Sequence, residues 1–509
     1  MHYSLDALRR SLAHFLIGKF ASAVSSVLLL VLLARWLPKE DYAVYVSLQA
    51  LLVAVTYVTA LGINQSLLRY IPELRVANNN LPMYRMTRQA MVGRALTIGV
   101  GFLLIWACLD TLGALFNLGR WQPWIPVYLL VGWVRLFNQF VGRIMETLLW
   151  QKQSQYSLAF GNVLRLLLVA AVAGYRGLDI PSLFLIELGC ELVVLVPLMA
   201  AYLYMWRADP RRDEGDPGWW DTHRRRTVRY AAWAYLSSLA AMLATTAPYR
   251  LIAARLLVPE TVAVYGFASG IADMINRYTP TRLMQGTIRT VLVARHSERG
   301  DQDDLLAKLS LNYRLNALML AVLAALVLAC GGSVLDWLTD GKYGRAAPLL
   351  AALLGVLIAD VLRAQLELLA EVCERNQWSL AGNLAMVLAV GLAYVLAGSH
   401  GLWGLVVANA VGEGAGLAIM LVAMRPQGAP KIVAWRRTLP ILAMPLAGWS
   451  AGLIPWPVGA PILAAAATVA VCLGLALAWP PLSPAERELL VSRMRSKSSV
   501  SAASDPGAR

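Results

Sequence analysis

The chain has 509 residues, of which 58% are apolar and 15% charged, and its mean hydropathy is +0.57. Soluble chains carry about 25% charged residues, so a soluble fold is excluded, and the long continuous apolar runs exclude the alternating, roughly 10-residue strands of a membrane barrel. The net charge of +15 raises nucleic acid as a partner, but the basic residues cluster in short loops between apolar runs, and no nucleic-acid partner is expected.

A bilayer span takes about 20 apolar residues, folded as a helix so that its backbone groups satisfy one another. Apolar segments fall near 12–36, 42–68, 89–115, 123–149, 157–176 and 181–205. They resume near 229–254, 260–285, 310–335, 346–370, 378–397 and 402–424, and end with 437–455 and 460–480. The expected fold class is therefore an all-α polytopic membrane protein of about 14 transmembrane helices. Ala21-Ser22-Ala23 resembles a signal cleavage site, but Lys19 interrupts the run before it and the apolar stretch continues to Leu33. The first segment reads as a retained helix.

Lys and Arg set the orientation. With a cytoplasmic N-terminus, the outer turns hold only Arg35, Lys39, Arg120, Arg176, Arg255, Lys342 and Arg345. The inner loops hold most of the rest, among them Arg69, Arg75, Arg85, Arg88, Arg207, Arg224, Arg225, Arg226, Arg436, Arg437, Arg493 and Arg495. Both termini are expected in the cytoplasm. The outer turns are short, and the largest inner loop, with Asp209-Pro210 and Asp216-Pro217-Gly218, reads as a linker.

That linker separates two copies of one unit. Residues Ala34 to Tyr45 lie over Ala254 to Tyr265 at an offset of 220, with seven of twelve positions identical. Gln155-Tyr156-Ser157-Leu158-Ala159 lies over Gln377-Trp378-Ser379-Leu380-Ala381 in nearly the same register. Six helices per copy make these parallel repeats. The expected organisation is a six-helix lobe at 1–205, a cytoplasmic linker at 206–227 and a second six-helix lobe at 228–425. Two extra helices follow at 426–482, and then a disordered tail at 483–509.

Gly18-Lys19, Leu33-Ala34-Arg35-Trp36-Leu37, Asp41-Tyr42-Ala43-Val44-Tyr45, and Gly62-Ile63 through Leu68-Arg69-Tyr70-Ile71-Pro72-Glu73-Leu74 form a recognisable pattern. It resembles the Wzx-type polysaccharide flippases of the multidrug/oligosaccharidyl-lipid/polysaccharide (MOP) exporter superfamily. The polar turn Gln151-Lys152-Gln153-Ser154-Gln155 is similar to the family's turn between helices four and five. The resemblance implies a V-shaped fold of two lobes enclosing a hydrophilic cavity. It also implies alternating access in a bacterial inner membrane, for exopolysaccharide or O-antigen (lipopolysaccharide) synthesis. The substrate would be a polyprenyl-diphosphate-linked oligosaccharide, and the polysaccharide polymerase and other assembly proteins would be partners. The chain would be a transporter and not an enzyme.

Ionisable groups inside spans mark functional sites. Lys19, Arg135, Arg165 and Arg250 have no acidic residue three or four positions away. They are read as a cationic cavity for an anionic substrate, against interhelical pairing or snorkelling as the plainer reading. Arg69, Arg277, Arg282 and Arg289 lie where a cytoplasmic portal would be, although positive-inside topology also accounts for them. A second group is paired by spacing: Arg143 with Glu146, Asp273 with Arg277, and Asp360 with Arg363 and Glu367. Glu146 falls over Glu367 at offset 221, and Glu413 stands in Gly412-Glu413-Gly414-Ala415-Gly416. Glu146, Asp273, Asp360, Glu367 and Glu413 are the candidates for H⁺ or Na⁺ coupling. The five cysteines and five histidines form no metal-ligand spacing, so neither a metal nor a cofactor is expected. Nucleotide-binding and hydrolase motifs do not occur. The rival functions are an ion-coupled drug or small-cation antiporter of the same superfamily and a membrane polysaccharide polymerase or ligase. The second of these would need a sizeable outer loop.

Overall fold

The computed structural model describes residues 5–115, 119–148, 150–243, 245–279, 282, 302–373, 375–454 and 461–480. The tail expected at 483–509 and the portal candidate Arg289 lie outside the described residues. Every described element is helical. The helices are α1 (Leu5–Trp36), α2 (Lys39–Val58), α3 (Ile63–Val76), α4 (Asn80–Ala107), α5 (Leu109–Leu115) and α6 (Ile125–Thr147). They continue as α7 (Gln151–Arg176), α8 (Ile180–Ala208), α9 (Trp219–Leu243), α10 (Ala247–Leu256) and α11 (Pro259–Arg277). The last are α12 (Gln302–Thr339), α13 (Ala347–Val372), α14 (Asn376–Ala423), α15 (Ala429–Val433), α16 (Trp435–Gly452) and α17 (Pro461–Ala478).

Among the described residues, ten helices are long and apolar enough to cross a membrane. One of them, α14, is two helices joined through Gly401, whose φ of 57° and ψ of −132° break the helical path. Of the predicted segments, 229–254 and the described parts of 260–285 and 437–455 fall outside those ten. The first is split into α9 and α10, with Pro248 in the first turn of α10. The predicted second span, 42–68, also divides. Its helix ends at Val58, the chain turns through Leu61 (φ 44°) and Gly62 (φ 71°), and α3 begins at Ile63. Only glycine suits position 62, because a side chain there would overlap the Ala231 carbonyl and would sit at positive φ.

The duplication is visible in the helix ends. Trp36 ends α1 and Leu256 ends α10; Lys39 begins α2 and Pro259 begins α11. Each pair is separated by the 220 residues of the sequence repeat.

The chain divides into two compact units. The first runs through Tyr278 and includes Leu335–Ala346 and Asn383–Gly412. Within it α1 packs along α7, α6 and α7 pack on α8, and α10 and α11 pack on α2. Small residues permit the close approaches expected between membrane helices: Gly161 meets Val194, and Gly266 meets Val46. At the basic end of this unit α3 lies amphipathically, with Leu67, Tyr70, Ile71 and Leu74 buried and Arg69 exposed. Those four join Met83, Met86, Phe140, Ile144, Leu198 and Trp219 in one apolar core. The linker is built onto the same end. Asn80 Nδ2 donates to the Arg211 carbonyl, the Asp216 amide donates to Asn79 Oδ1, and the Tyr84 hydroxyl donates to Asp209 Oδ2.

The second unit comprises Thr279–Val334, Ala347–Gly382 and the chain from Glu413 onward. Asn312 Nδ2 of α12 donates to Gln365 Oε1 of α13 at 3.1 Å. Gly448 and Gly452 of α16 pass close to the Ala325 and Leu328 carbonyls of α12, and Gly416 stands against the Gly382 carbonyl. Small residues beside Glu413 therefore let helix segments come together.

Candidate functional site

Arg135 of α6 and Arg165 of α7 are not free cations. Both reach Glu187 and Glu191 of α8. Arg135 Nε donates to Glu191 Oε1 at 2.7 Å, and Arg135 Nη2 stands 3.1 Å from Glu187 Oε2, off the hydrogen-bond direction. Arg165 Nη2 lies 3.3 Å from Glu191 Oε1, and its Nη1 lies 3.6 Å from Glu187 Oε1. Asn138 Nδ2 donates to Glu191 Oε2 at 3.0 Å. Gln49 Nε2 donates to the Tyr45 hydroxyl, which donates to Glu187 Oε1 at 2.9 Å. This is a network of two arginines and two carboxylates joining α2, α6, α7 and α8, with Glu187 fully buried. Burial of such charges is tolerated when geometry and extra hydrogen bonds compensate for desolvation.

This corrects the expectation that these arginines are unpaired. Spacing along one helix cannot detect a partner on the next. Glu187 and Glu191 are four apart within a predicted span, so two carboxylates in an apolar run were the available signal.

Arg250 is also paired. Its Nε donates to Ser269 Oγ at 2.8 Å and its Nη2 to Asp273 Oδ2 at 2.6 Å, while Thr246 Oγ1 donates to the same Asp273 oxygen. Asp273 of α11 thus takes Arg250 of α10, 23 residues back in the chain, and its side chain is 34% exposed. Lys19 is half-buried in α1, one residue after Gly18, which packs on Gln155. Gln155 Nε2 donates to Glu146 Oε1.

In the second unit Arg363 of α13 is a hub. Its Nε donates to Glu413 Oε2 at 2.8 Å, its Nη1 to Glu367 Oε1 at 2.6 Å and its Nη2 to Asp360 Oδ1 at 3.0 Å. Arg282 Nη2 donates to the other Asp360 oxygen at 2.9 Å. The spacing predicted the contacts of Asp360 and Glu367 with Arg363. Glu413 joins them from α14, and Arg282 belongs to this cluster. Arg69 and Arg277 are exposed, and Arg69 pairs with Glu73 at 3.6 Å.

Sequence reasoning also missed Arg94, which is 2% exposed in α4. Its Nη1 donates to Thr59 Oγ1 at 3.0 Å and its Nη2 to the Thr56 carbonyl at 3.1 Å. The cation therefore caps the carbonyl end of α2, where the helix dipole is negative. No group of His, Cys, Asp and Glu among the described residues could hold a metal ion.

The fold has counterparts of known structure. One is a lipid II flippase, MurJ, in an inward closed conformation, with TM-score 0.66 and 11% identity, covering 91% of this chain and 97% of that one. Another is an inward-facing multidrug resistance MATE family transporter of the MOP superfamily, with TM-score 0.65 and 15% identity, covering 82% and 96%. An outward-facing MATE transporter of the same superfamily aligns with TM-score 0.57 and 17% identity, covering 84% and 96%. No curated relative matches the sequence. The family model described as "Polysaccharide biosynthesis protein" matches residues 8–284. That match spans more than half of the chain, and with a fold shared by MOP-superfamily transporters it identifies this multi-pass membrane protein as a member of the polysaccharide biosynthesis protein family.

Proposed function

We propose that the chain moves a polyprenyl-diphosphate-linked oligosaccharide from the cytoplasmic to the periplasmic face of the bacterial inner membrane by alternating access. The family match over residues 8–284 carries this reading. It is supported by a fold shared with a protein described as a lipid II flippase.

The anionic diphosphate needs cations that can exchange partners. Arg135 and Arg165 are held by two buried carboxylates, so we assign them to positioning α6, α7 and α8. Lys19 and Arg250 take the substrate role. Asp273 is a partly exposed, singly contacting partner of Arg250. An entering phosphate replaces it with forked hydrogen bonds to the guanidinium. Asp273, Glu146, Asp360, Glu367 and Glu413 are the groups proposed to couple transport to H⁺ or Na⁺, and the polymerase is the proposed consumer of the product.

Cells lacking the chain should accumulate lipid-linked repeat units on the inner face and make little polymer. Normal polymer without such accumulation would overturn the assignment. A second reading, a drug or small-cation antiporter, rests on the MATE-like fold and on the carboxylates around Arg363. It predicts ion-gradient-dependent drug accumulation changes in the same cells.

A further inference from the structure

The segment Leu335–Ala346 follows α12 in sequence but packs with the first unit. It is a preformed turn. Asp340 (φ 59°) and Gly341 (φ 77°) reverse the chain. The Gly341 amide donates to the Asp336 carbonyl, the Gly344 amide donates to Asp336 Oδ1 at 2.7 Å, and the Tyr343 amide donates to Thr339 Oγ1.

The tip of this turn seizes the junction between α1 and α2. Lys342 Nζ donates to the carbonyls of Arg35 at 2.5 Å and Leu37 at 3.1 Å. These carbonyls form the negative end of α1, where a cation is favoured. The Tyr343 ring is fully buried, edge-on to Tyr42 at 5.8 Å and tilted against Phe267 of α11 at 4.6 Å. Lys39 Nζ lies 6.0 Å above the same ring. The first half places Trp121 on the same turn of α2, where its Nε1 donates to Asp41 Oδ1 at 2.8 Å. Trp121 and Tyr343 are 222 residues apart, as are the starts of α6 and α13 at Ile125 and Ala347. Equivalent loops of the two repeats thus converge on the start of one helix.

Two features make this grip releasable. The Tyr343 hydroxyl is buried with no hydrogen-bond partner among the described residues, which works against docking. Burial, reinforced by nearby Lys39 and opposed by Asp340, pulls the Lys342 ammonium below its usual range.

We propose that Leu335–Ala346 is a strap that holds the α1–α2 junction closed on the face opposite the basic end, with Lys342 as its catch. The strap must release before that face opens. This inference rests on the transport reading above, but its first test does not. In full-length protein lacking the five native cysteines, Ala43→Cys near the buried start of α2 is exposed to a membrane-impermeant maleimide in intact cells. Labelling should be slow and should accelerate at least ten-fold when Lys342→Met is added. Equal rates overturn the catch.

The second test joins Lys39→Cys to Lys342→Cys with a reducible thiol cross-linker. Polymer output should fall at least ten-fold and return on reduction. Full output from completely cross-linked protein overturns release of the strap. If cells without the chain make normal polymer, the flippase reading falls while the labelling rates still decide the strap.

Discussion

The two buried charge clusters stand at equivalent places in the repeat and are built differently. Glu191 and Glu413 are 222 residues apart, and each accepts from the Nε of an arginine on the fourth predicted span of its own half, Arg135 of α6 or Arg363 of α13. In the first half two arginines from different helices each reach the same two glutamates. In the second half one arginine reaches three carboxylates. The duplicated fold has kept the carboxylate and the direction of the bond, while one half became redundant and the other became a hub. Redundancy suits a fixed support. A hub, in which one guanidinium is divided among several carboxylates, suits a site that exchanges a proton or a cation.

That difference sets an order of effects, each read as a shift in thermal unfolding of the detergent-purified protein. Arg363→Leu should be the most damaging, at about 3–5 kcal/mol, because removing one partner strands buried charge; absence of folded protein meets the same expectation. Arg165→Leu should cost less, about 2 kcal/mol, since Arg135 still contacts both glutamates and one stranded charge is shared. A larger loss from Arg165→Leu than from Arg363→Leu would break the distinction between support and hub. Arg94→Met removes a cap from α2 and should cost about 1–2 kcal/mol. Glu367→Gln should be the mildest, below about 1 kcal/mol, because its side chain is the most exposed of the three around Arg363, at 32%, and the glutamine carbonyl oxygen can still accept from the guanidinium. A near-wild-type melting curve for Glu367→Gln combined with lost transport would sharpen the case for coupling at the hub.

Much of this was legible in the sequence, for physical reasons. Hydropathy reports helices because lipid leaves the backbone no other partner. The repeat was readable at Ala34–Tyr45 and reappears as matched helix ends. Hydropathy misjudged the second span because apolar residues continue past Gly62, whereas the turn there depends on one positive φ and one passing carbonyl. At the charges the limit was different. Arg135, Arg165 and Arg250 were singled out correctly as intramembrane cations, yet their partners lie 23 to 56 positions away on neighbouring helices. Of the pairs expected from local spacing, Arg363 with Asp360 and Glu367 form along one helix face, whereas Glu146 takes Gln155 and Asp273 takes Arg250.

Reconstitution tests the central claim most directly. Purified protein in vesicles loaded with a polyprenyl-diphosphate-linked oligosaccharide should carry the sugar between leaflets, seen as loss of protection from an impermeant sugar-modifying reagent. Lys19→Gln should slow that rate at least ten-fold while leaving thermal stability unchanged. Vesicles containing the wild-type protein that protect the sugar as well as empty ones do would contradict the account.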